Sequence, residues 1–243
     1  MQARAVFLDL DGTLLNYDEA AWAGSVRAVC SALRSADGGA ALDPDALFTT
    51  YTGISSAYFR AAQAEHELQA DGHAIWRELW HQALAECGCD DEAIADAAVA
   101  AYEADRAVRY KLFADVLPAL AQLRELVTSL VLITNGAGST QRHKAEATGL
   151  TGLLDAVIVS GEAGVAKPDP AIFMLAATAA GVRPEAAWHV GDNLTADVAG
   201  ARNAGLGAGV WLNRPAAAHP GDGVAPQPHY EITSLAELPA LLG

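Results

Sequence analysis

The chain has 243 residues, with 30 acidic side chains against 15 basic ones and a formal net charge of −15 at pH 7. This balance argues against binding to a nucleic acid polymer, which needs Lys and Arg to neutralise phosphates. The hydrophobic fraction of 52% and the charged fraction of 19% are enough to build a core and exclude intrinsic disorder. No stretch approaches the roughly 18 apolar residues of a membrane helix, so we predict no membrane association.

The beginning of the sequence and its cysteines bear on the cellular compartment. The chain enters an apolar run within three residues and has no long apolar signal region or small-residue cleavage site. Cys30, Cys87 and Cys89 have spacings that fit no zinc site. We therefore expect reduced thiols and a cytoplasmic protein.

The first predicted elements are a short apolar strand and a long helical segment. Ala5 to Leu8 is a β-branched and aromatic run that stops at Asp9, which is typical of a buried parallel strand. From about Asn16 to Lys111 the sequence has helical periodicity and no convincing strand. Its breaks fall near Gly38-Gly39, Asp43-Pro44, Asp71-Gly72 and Gly88. We interpret this segment as a four-helix insert that follows the first strand.

After the insert, apolar strands alternate with amphipathic helices. The predicted strands are Leu130–Ile133, Ala156–Val159, Ala187–Val190, Ala208–Leu212 and Tyr230–Ile232. The predicted helices are Val116–Leu126, Thr140–Thr148, Pro170–Ala180, Ala196–Ala204 and Ser234–Leu242, and a surface loop is expected over Pro215–Pro228. This alternation predicts an α/β fold with a parallel sheet. We assign residues 1–15 and 112–243 to this core and residues 16–111 to an inserted helical domain.

Polar residues follow the predicted strands, at the sheet edge where parallel sheets bind ligands. They are Asp9, Asp11, Thr134, Asn135, Lys167 and Asp192. Carboxylates crowded at one edge repel each other unless a cation lies among them, and an oxygen-lined site suits Mg²⁺. A lysine beside such a metal supplies positive charge for an anionic group, so the set indicates phosphate chemistry. Helix capping or loop solvation would explain any one of these residues, but not all of them together.

These residues resemble the four motifs of the haloacid dehalogenase-like hydrolase superfamily. Residues 7–14 (FLDLDGTL), 133–136 (ITNG), 167–170 (KPDP) and 191–197 (GDNLTAD) are similar to the four motifs in the family's order. The resemblance covers essentially the whole chain and implies a Rossmann-like parallel sheet core. Because the long separation lies between the first and second motifs, the insert is similar to the helical cap of the superfamily's first subclass.

The resemblance implies a role for each residue of the first two motifs. Asp9 is similar to the nucleophile that forms an aspartyl-phosphate, and Asp11 to the general acid and base. Gly12 would allow close backbone approach to the phosphoryl group. Thr134 would hydrogen-bond a phosphoryl oxygen, and the backbone N–H groups of Asn135 and Gly136 would complete an anion-binding turn.

The third and fourth motifs supply the remaining implied roles. Lys167 would bridge the nucleophile and the phosphoryl oxygens. Mg²⁺ would be held by the Asp9 carboxylate, the backbone carbonyl of Asp11 and Asp192. Asp197 has two interpretations that the sequence leaves open. It either complements a helix dipole or orients Lys167 or metal-bound water.

The resemblance implies a phosphatase, with other reactions of the superfamily as alternatives. Dehalogenases similar to this chain lack an acid at the position of Asp11, and phosphonatases need an insert lysine that only Lys111 approaches. A sugar phosphomutase would need basic insert residues such as Arg27, Arg34, Arg60, Arg77, Arg106 and Arg109. A non-catalytic binding protein that retains the fold is the alternative from a different class, although the nucleophile and lysine are both kept.

The substrate is predicted only by class. The core motifs are similar to phosphatases of sugar acid phosphates, such as N-acylneuraminate phosphate, and of nucleoside monophosphates. We therefore expect a small phosphate monoester, namely a sugar phosphate, a nucleoside monophosphate or a phosphoglycolate-like compound, and a monomer or homodimer. In the insert, Tyr58, Phe59, Trp76 and Trp80 are candidates for a substrate pocket, although Trp76 and Trp80 lie one helical turn apart and fit a core better. Arg60 is a candidate for a second anionic group, and His66, His73 and His81 are expected to be solvated.

Overall fold

The computed structural model describes residues 3–33, 42–61, 65, 67–69, 71–214 and 226–243. Its strands are β1 (Ala5–Leu8), β2 (Ser129–Thr134), β3 (Ala156–Val159), β4 (Ala187–Gly191), β5 (Ala208–Leu212) and β6 (Tyr230–Ile232). The α-helices are α1 (Glu19–Leu33), α2 (Pro44–Ala61), α3 (Gly72–Glu86), α4 (Glu92–Arg109), α5 (Val116–Leu126), α6 (Gly138–Ala147), α7 (Ser160–Ala163), α8 (Pro170–Ala180), α9 (Gly200–Asn203) and α10 (Leu238–Leu242). Short 3₁₀ turns cover Leu150–Gly152, Pro184–Ala186 and Leu235–Glu237.

The strands form one parallel sheet in the order β3-β2-β1-β4-β5-β6, which confirms the predicted Rossmann-like α/β core. The chain runs outward from β1 to β3 and then returns to the other side of β1 to form β4. This reversal is the topological switch point, where open α/β sheets bind their ligands. Asp9 follows β1 and therefore stands at that crevice.

Both faces of the sheet are covered, because the residues of a strand alternate between its two sides. Val6 and Leu8 of β1 pack in one apolar cluster with residues of α5 and α10. Ala5 and Phe7 point the other way and pack with Phe173 and other residues of α8. Burial on both faces explains why the predicted strands are apolar runs without alternating polar residues.

Helices α1 to α4 pack around an apolar cluster of their own. The ring of Trp80 stacks on Tyr51 with centroids 3.8 Å apart, and Tyr102 meets both rings edge-on. Helix α2 begins at Pro44, and α3 and α4 begin after the N-caps Asp71 and Asp91. The breaks expected at residues 43–44, 71–72 and 88 therefore separate helices. The break expected at Gly38-Gly39 lies outside the described residues.

The predicted helix Thr140–Thr148 is observed as α6, two residues earlier at its start and one at its end. Two other predicted helices differ more from the observed elements. Ala196–Ala204 was expected to be one helix, but a π-helical turn covers Leu194–Ala199 and α9 follows it. The wider turn carries Asp197 inward, where it is 1% exposed. Ser234–Leu242 is a capped 3₁₀ turn followed by α10. In the loop expected over residues 215–228, residues 215–225 lie outside the described part. None of the described helices is long and apolar enough to span a membrane.

Candidate functional site

The strand ends bring the first set of predicted residues together. Leu8 pairs with Leu132 on one side and with Val190 on the other, so Asp9 lies level with the ends of β2 and β4. Its backbone N–H donates to Val190 O at 3.0 Å. Thr134 ends β2, and Asp192 directly follows β4.

Lys167 connects two buried carboxylates at this edge. Its ammonium group donates to Asp9 Oδ1 and to Asp197 Oδ1, each at 2.6 Å. Asp197 also accepts from the backbone N–H of Asn193 at 3.0 Å, and its Oδ1 lies 2.9 Å from Nε2 of His189. Of the two interpretations of Asp197, this geometry matches the one in which it orients Lys167. His189 was not among the predicted site residues, because it lies inside an apolar strand.

The close packing of these charges shifts their pKa values. Burial raises the pKa of Asp9, and Lys167 opposes that shift. The pKa of Asp197 is lowered because Lys167 and His189 outweigh its burial. Burial lowers the pKa of Lys167, but the two carboxylates outweigh this effect and raise it, so the lysine stays charged. Burial and the neighbouring Asp197 raise the pKa of Asp192 to about 6.

Three carboxylates at this edge form a candidate metal site. Oxygen atoms of Asp9, Asp192 and Asp197 all lie within 4.8 Å of one another. Burial is the main reason that the pKa of Asp192 is raised, and the negative charge of Asp197 adds to it; a divalent cation would neutralise that charge. Hard oxygen donors are the chemistry that Mg²⁺ prefers, so these side chains fit the predicted ion.

Gly12 allows the first loop to approach Asp192. Its φ is +78°, and a Cβ atom there would lie 2.3 Å from Oδ2 of Asp192. Any other residue would therefore displace this carboxylate. The observation extends the predicted role of Gly12, which concerned only close approach to a phosphoryl group.

Asp11 points away from the carboxylate cluster, towards helix α6. Its carboxylate accepts from Lys144 Nζ at 2.8 Å through both oxygens and from Gln141 Nε2 at 2.9 Å. Gln141 Nε2 also donates to Thr134 Oγ1. Burial tends to raise the pKa of Asp11, but the charge and hydrogen bonds of Lys144 outweigh it and lower that pKa. The Asp11 side chain remains 46% exposed, so it is accessible from the cleft.

Lys144 and Gln141 were not among the predicted site residues. The available signal was their spacing, because residues three apart on a helix share one face. Helix α6 follows β2, so that face turns towards the residues at the carboxyl edge of the sheet.

Asn135 and Gly136 hold the loops in place. The Asn135 side chain accepts from Lys167 N at 2.8 Å and donates to Lys167 O at 2.9 Å, which ties the second motif to the third. The backbone N–H of Gly136 donates to Ser160 Oγ at 2.9 Å. The predicted anion-binding turn would therefore need a phosphoryl oxygen to replace the Ser160 hydroxyl. Ser160 was missed, since a lone serine after β3 carries no distinctive signal.

The helical insert contacts the core beside this site. Ser160 Oγ donates to Glu67 O, and the backbone N–H of Gly138 donates to Gln69 O at 2.9 Å. The backbone N–H of Gly72 in turn donates to Ser139 Oγ at 2.8 Å. We call these contacts the latch. It closes one side of the cleft between the insert and the core.

The cleft has a volume of about 530 Å³ and reaches from Asp11 to the insert. Aromatic side chains of the insert line it, namely Trp22, Phe59, Trp76 and Tyr102. Trp80 instead lies in the apolar core of the insert, as the one-turn spacing of the two tryptophans predicted. Trp76 packs in the same core and also lines the cleft. Tyr58 does not line the cleft and packs against Phe59. Arg60 and Arg106 contribute positive charge to the lining.

Among the described residues of the insert, His73 and His81 do not line this cleft. His73 pairs with Glu103 and His81 with Asp90, and both side chains are partly exposed. They match the expectation of solvated residues. His66 and Arg34 lie outside the described residues.

Comparison with known proteins agrees with this geometry. The sequence profile of haloacid dehalogenase-like hydrolases matches residues 3–205. N-acylneuraminate-9-phosphatase of Rattus norvegicus is 38% identical over 169 residues, which cover 67% of this chain and 65% of that protein. Phosphoserine phosphatase of Thermus thermophilus is 33% identical over 234 residues, which cover 87% of this chain and 89% of that protein. The crystal structure of 2-haloacid dehalogenase from Pseudomonas syringae is 27% identical, with a TM-score of 0.71 and coverage of 99% and 98% of the two chains.

The fold and the site are those of α/β proteins that have an acidic, lysine-containing site at the topological switch point of a parallel sheet. The chain belongs to the haloacid dehalogenase-like hydrolase family, since the family profile matches most of its length. It spans about two thirds of the length of the rat phosphatase that it matches.

Proposed function

We propose that this protein hydrolyses a small phosphate monoester through an aspartyl-phosphate intermediate. One observation carries the proposal: the Lys167 ammonium lies 2.6 Å from Asp9, while Asp11, two residues on, faces the cleft with half of its side chain exposed. The names of the two curated relatives, both phosphatases, support the same reaction class.

In the first step, Asp9 attacks phosphorus and the bond between phosphorus and the leaving oxygen breaks. Lys167 stabilises the negative charge that collects on the phosphoryl oxygens. Thr134, which ends β2 and whose hydroxyl accepts from Gln141, would bind one of those oxygens. The product of this half-reaction is an acyl phosphate on Asp9.

Asp11 moves the protons in both steps. It first protonates the leaving alkoxide and then takes a proton from the water that attacks the aspartyl-phosphate. In the structure its carboxylate is bound by Lys144 and Gln141, which favour its charged form. We infer that substrate binding loosens these contacts, so that Asp11 can carry a proton in the first step.

A leaving group that needs a proton separates this reaction from dehalogenation. Halide leaves without protonation, whereas Asp11 stands at the cleft with two partners that hold its carboxylate in position. For this reason we propose a phosphatase although a solved structure with the same fold is a 2-haloacid dehalogenase.

Mg²⁺ is the proposed cofactor. Asp9 and Asp192 would hold it through their carboxylates, with the Asp11 backbone carbonyl as the third predicted ligand. When bound, it would neutralise negative charge on the phosphoryl group and screen the nucleophile from it. Because Lys167 and His189 already engage Asp197, that residue is proposed to position Lys167 instead of holding the metal.

The helical insert is proposed to act as a lid over the leaving group. The chain crosses between core and insert at two adjacent points: Asn16 N donates to Lys111 O at 2.7 Å, and Leu15 forms a β-bridge with Leu112. The contacts between residues 15–16 and 111–112 support the proposed division into residues 1–15 and 112–243 for the core and 16–111 for the cap. Two adjacent crossings would also serve as a hinge.

The proposal is tested with 4-nitrophenyl phosphate, in the presence of Mg²⁺ and after treatment with EDTA. We expect Mg²⁺-dependent turnover that Asp9→Asn lowers by about 10⁴-fold or more, because an amide is a poor nucleophile. Circular dichroism should show that the variant remains folded. Turnover by Asp9→Asn at the wild-type rate, or none by the folded wild-type protein, would contradict the proposal.

The metal assignment has a separate readout. Mg²⁺ should raise the melting temperature of the wild-type protein, since a ligand that binds the folded state stabilises it. Asp192→Asn should lose most of this shift, whereas Asp96→Asn on the exposed face of α4 should keep it. An equal shift in all three proteins would remove Asp192 from the metal site.

A further inference from the structure

Arg106 is a buried cation whose charge the described carboxylates do not balance. It lies on α4 with 7% of its surface exposed. No described carboxylate forms an ion pair with it, and its Nε–H has no hydrogen-bond partner. An unpaired buried charge is strongly destabilising, so its presence needs a compensating interaction.

Aromatic rings supply part of that compensation. The guanidinium carbon lies 4.3 Å from the ring centroid of Trp76, 5.1 Å from that of Tyr102 and 5.4 Å from that of Tyr17. In such contacts the negative face of each ring attracts the cation. The N–H bonds point outward in the plane of the group and need acceptors of their own.

The cleft is where such an acceptor can approach. Arg106 and Asp11 line the same cavity of about 530 Å³, together with Trp76 and Tyr102 of the insert. In the proposed reaction Asp11 contacts the oxygen of the leaving group. Arg106 therefore faces the rest of the leaving group, on the side that the insert covers.

The balance of charge indicates what kind of group binds there. Lys144, the other buried cation of the cleft, is already paired with Asp11 through both carboxylate oxygens. Glu67, which also lines the cleft, accepts from the Asn135 side chain. The charged side chains that line the cleft are two carboxylates, Asp11 and Glu67, and three cations, Arg60, Arg106 and Lys144. One positive charge is therefore in excess, which matches a singly charged anion better than a phosphate dianion. A planar fork of donors matches the two oxygens of a carboxylate.

We propose that Arg106 binds a carboxylate on the leaving group, so that the substrate is a phosphorylated carboxylic acid. The inference rests on the proposed phosphatase activity and narrows its substrate class. The aromatic rings around Arg106 hold the guanidinium in place before the substrate arrives, which lowers the cost of ordering it.

The test compares pairs of substrates that differ only at the acid. Three pairs cover different lengths: 2-phosphoglycolate with 2-hydroxyethyl phosphate, 3-phosphoglycerate with glycerol 3-phosphate, and 6-phosphogluconate with glucitol 6-phosphate. Each pair replaces a carboxylate by a CH₂OH group. For the pair turned over best, we expect the wild-type enzyme to favour the acid at least ten-fold in kcat/KM. Arg106→Gln should lower this ratio at least ten-fold, mainly through the KM of the acid.

Two further variants test whether the change in the kcat/KM ratio is specific to the Arg106 guanidinium or results from general destabilisation of the protein. Arg106→Lys keeps the charge without the planar fork and should give an intermediate ratio. Arg77→Gln, an arginine on the exposed side of α3 that pairs with Asp96, should keep the wild-type ratio. A melting curve shows whether each variant is folded. If Arg106→Gln does not fold, the ratio measured for Arg106→Lys decides the question.

Several outcomes would overturn the proposal. They are equal kcat/KM values for the acid and the alcohol in the wild type, a ratio unchanged by the Arg106 variants, and a preference for glucitol 1,6-bisphosphate over 6-phosphogluconate. Equal loss of both members of a pair would assign Arg106 a purely structural role. Failure of the phosphatase proposal itself is distinguishable, because 4-nitrophenyl phosphate and every pair would then show no turnover.

Discussion

The sheet edge and the cleft wall differ in how their charges are balanced. At the sheet edge, Lys167 contacts Asp9 and Asp197, each at 2.6 Å. Asp9 directly follows β1, and Asp197 lies in the π-helical turn that follows β4. On the cleft wall, Asp11 meets Lys144 of α6, while Arg106 of α4 has no described carboxylate beside it. In the first region the buried lysine is paired with carboxylates of the protein before any substrate binds. In the second region, the substrate supplies the anion that pairs with Arg106. The residues that carry out the reaction therefore lie at the sheet edge, and the residue that selects the substrate lies on the cleft wall.

Removing the central cation of the sheet edge should have the largest effect. Lys167→Met leaves Asp9 and Asp197 buried without their shared partner. We expect kcat for 4-nitrophenyl phosphate to fall by about 10³-fold, as when an electrostatic donor is removed from an active site. The free energy of unfolding should fall by about 3 kcal/mol or more, measured by urea denaturation.

Lys111→Met is the matched control, since this lysine is exposed and its described hydrogen bond is the one that its backbone carbonyl accepts from Asn16. It should keep both values near those of the wild type. A stable Lys167→Met protein with normal turnover would show that the sheet edge does not depend on its buried cation.

Weakening the latch should have an intermediate effect, because it joins the two regions. A Cβ atom on Gly161 would lie 2.0 Å from Gln69 O and 2.8 Å from both Gly136 O and Gly138 N, so Gly161→Ala displaces the latch together with the turn at Gly136. We expect kcat/KM to fall about ten- to a hundred-fold, since a misplaced wall weakens both binding and proton transfer. Steady-state kinetics with the preferred substrate would measure this loss.

Gly152→Ala is the control for this experiment, because a Cβ atom there meets nothing within 4 Å. Its kinetics should resemble those of the wild type. If Gly161→Ala behaved in the same way, the latch would not be needed for the closed cleft.

The smallest expected effect concerns stability alone, behind the sheet edge. Arg214 donates two hydrogen bonds of 3.0 Å to Asp115 and a third of 2.8 Å to Thr13 O in the first loop. Partial burial tends to raise the pKa of Asp115, but the hydrogen bonds from Arg214, Ser234 and Leu235 outweigh it and lower that pKa. Asp115→Asn should therefore reduce the free energy of unfolding at pH 7 by about 2 kcal/mol, with turnover nearly unchanged.

The lowered pKa of Asp115 also determines how the stability difference between the wild type and Asp115→Asn changes with pH. A carboxylate whose pKa is lower in the folded state stabilises the protein above its unfolded pKa of about 3.9. This contribution is lost as the pH falls through the folded pKa. The difference between the wild type and Asp115→Asn, measured by urea denaturation, should shrink at low pH. A difference that grows below pH 4 would contradict this account, whereas Asp96→Asn should show little difference at any pH.

Much of the fold was predictable, because strands buried on both faces need continuous apolar runs. The bounds of β1, β3, β5 and β6 were predicted without error, as were those of α5 and α8. Asp9, Thr134 and Asp192 were found by a topological rule: the carboxyl ends of neighbouring parallel strands meet at one edge.

Other site residues were missed because their role depends on packing between distant segments. His189 lies inside an apolar strand and contacts Asp197 only because a π-helical turn brings that residue back. Arg106 was one of several insert arginines, and nothing in its local sequence distinguishes it from Arg109, which forms a surface pair with Asp105.

The sequence by itself determined the order of the elements, the family motifs and the residues at the sheet edge. These depend on hydrophobic periodicity and on short segments that the parallel sheet brings to a common level. Only the tertiary structure decided which cation remains unpaired, which direction Asp11 faces and how the insert meets the core. The reason is physical: burial and charge balance are set by side chains from separate segments that become neighbours only when the chain is folded.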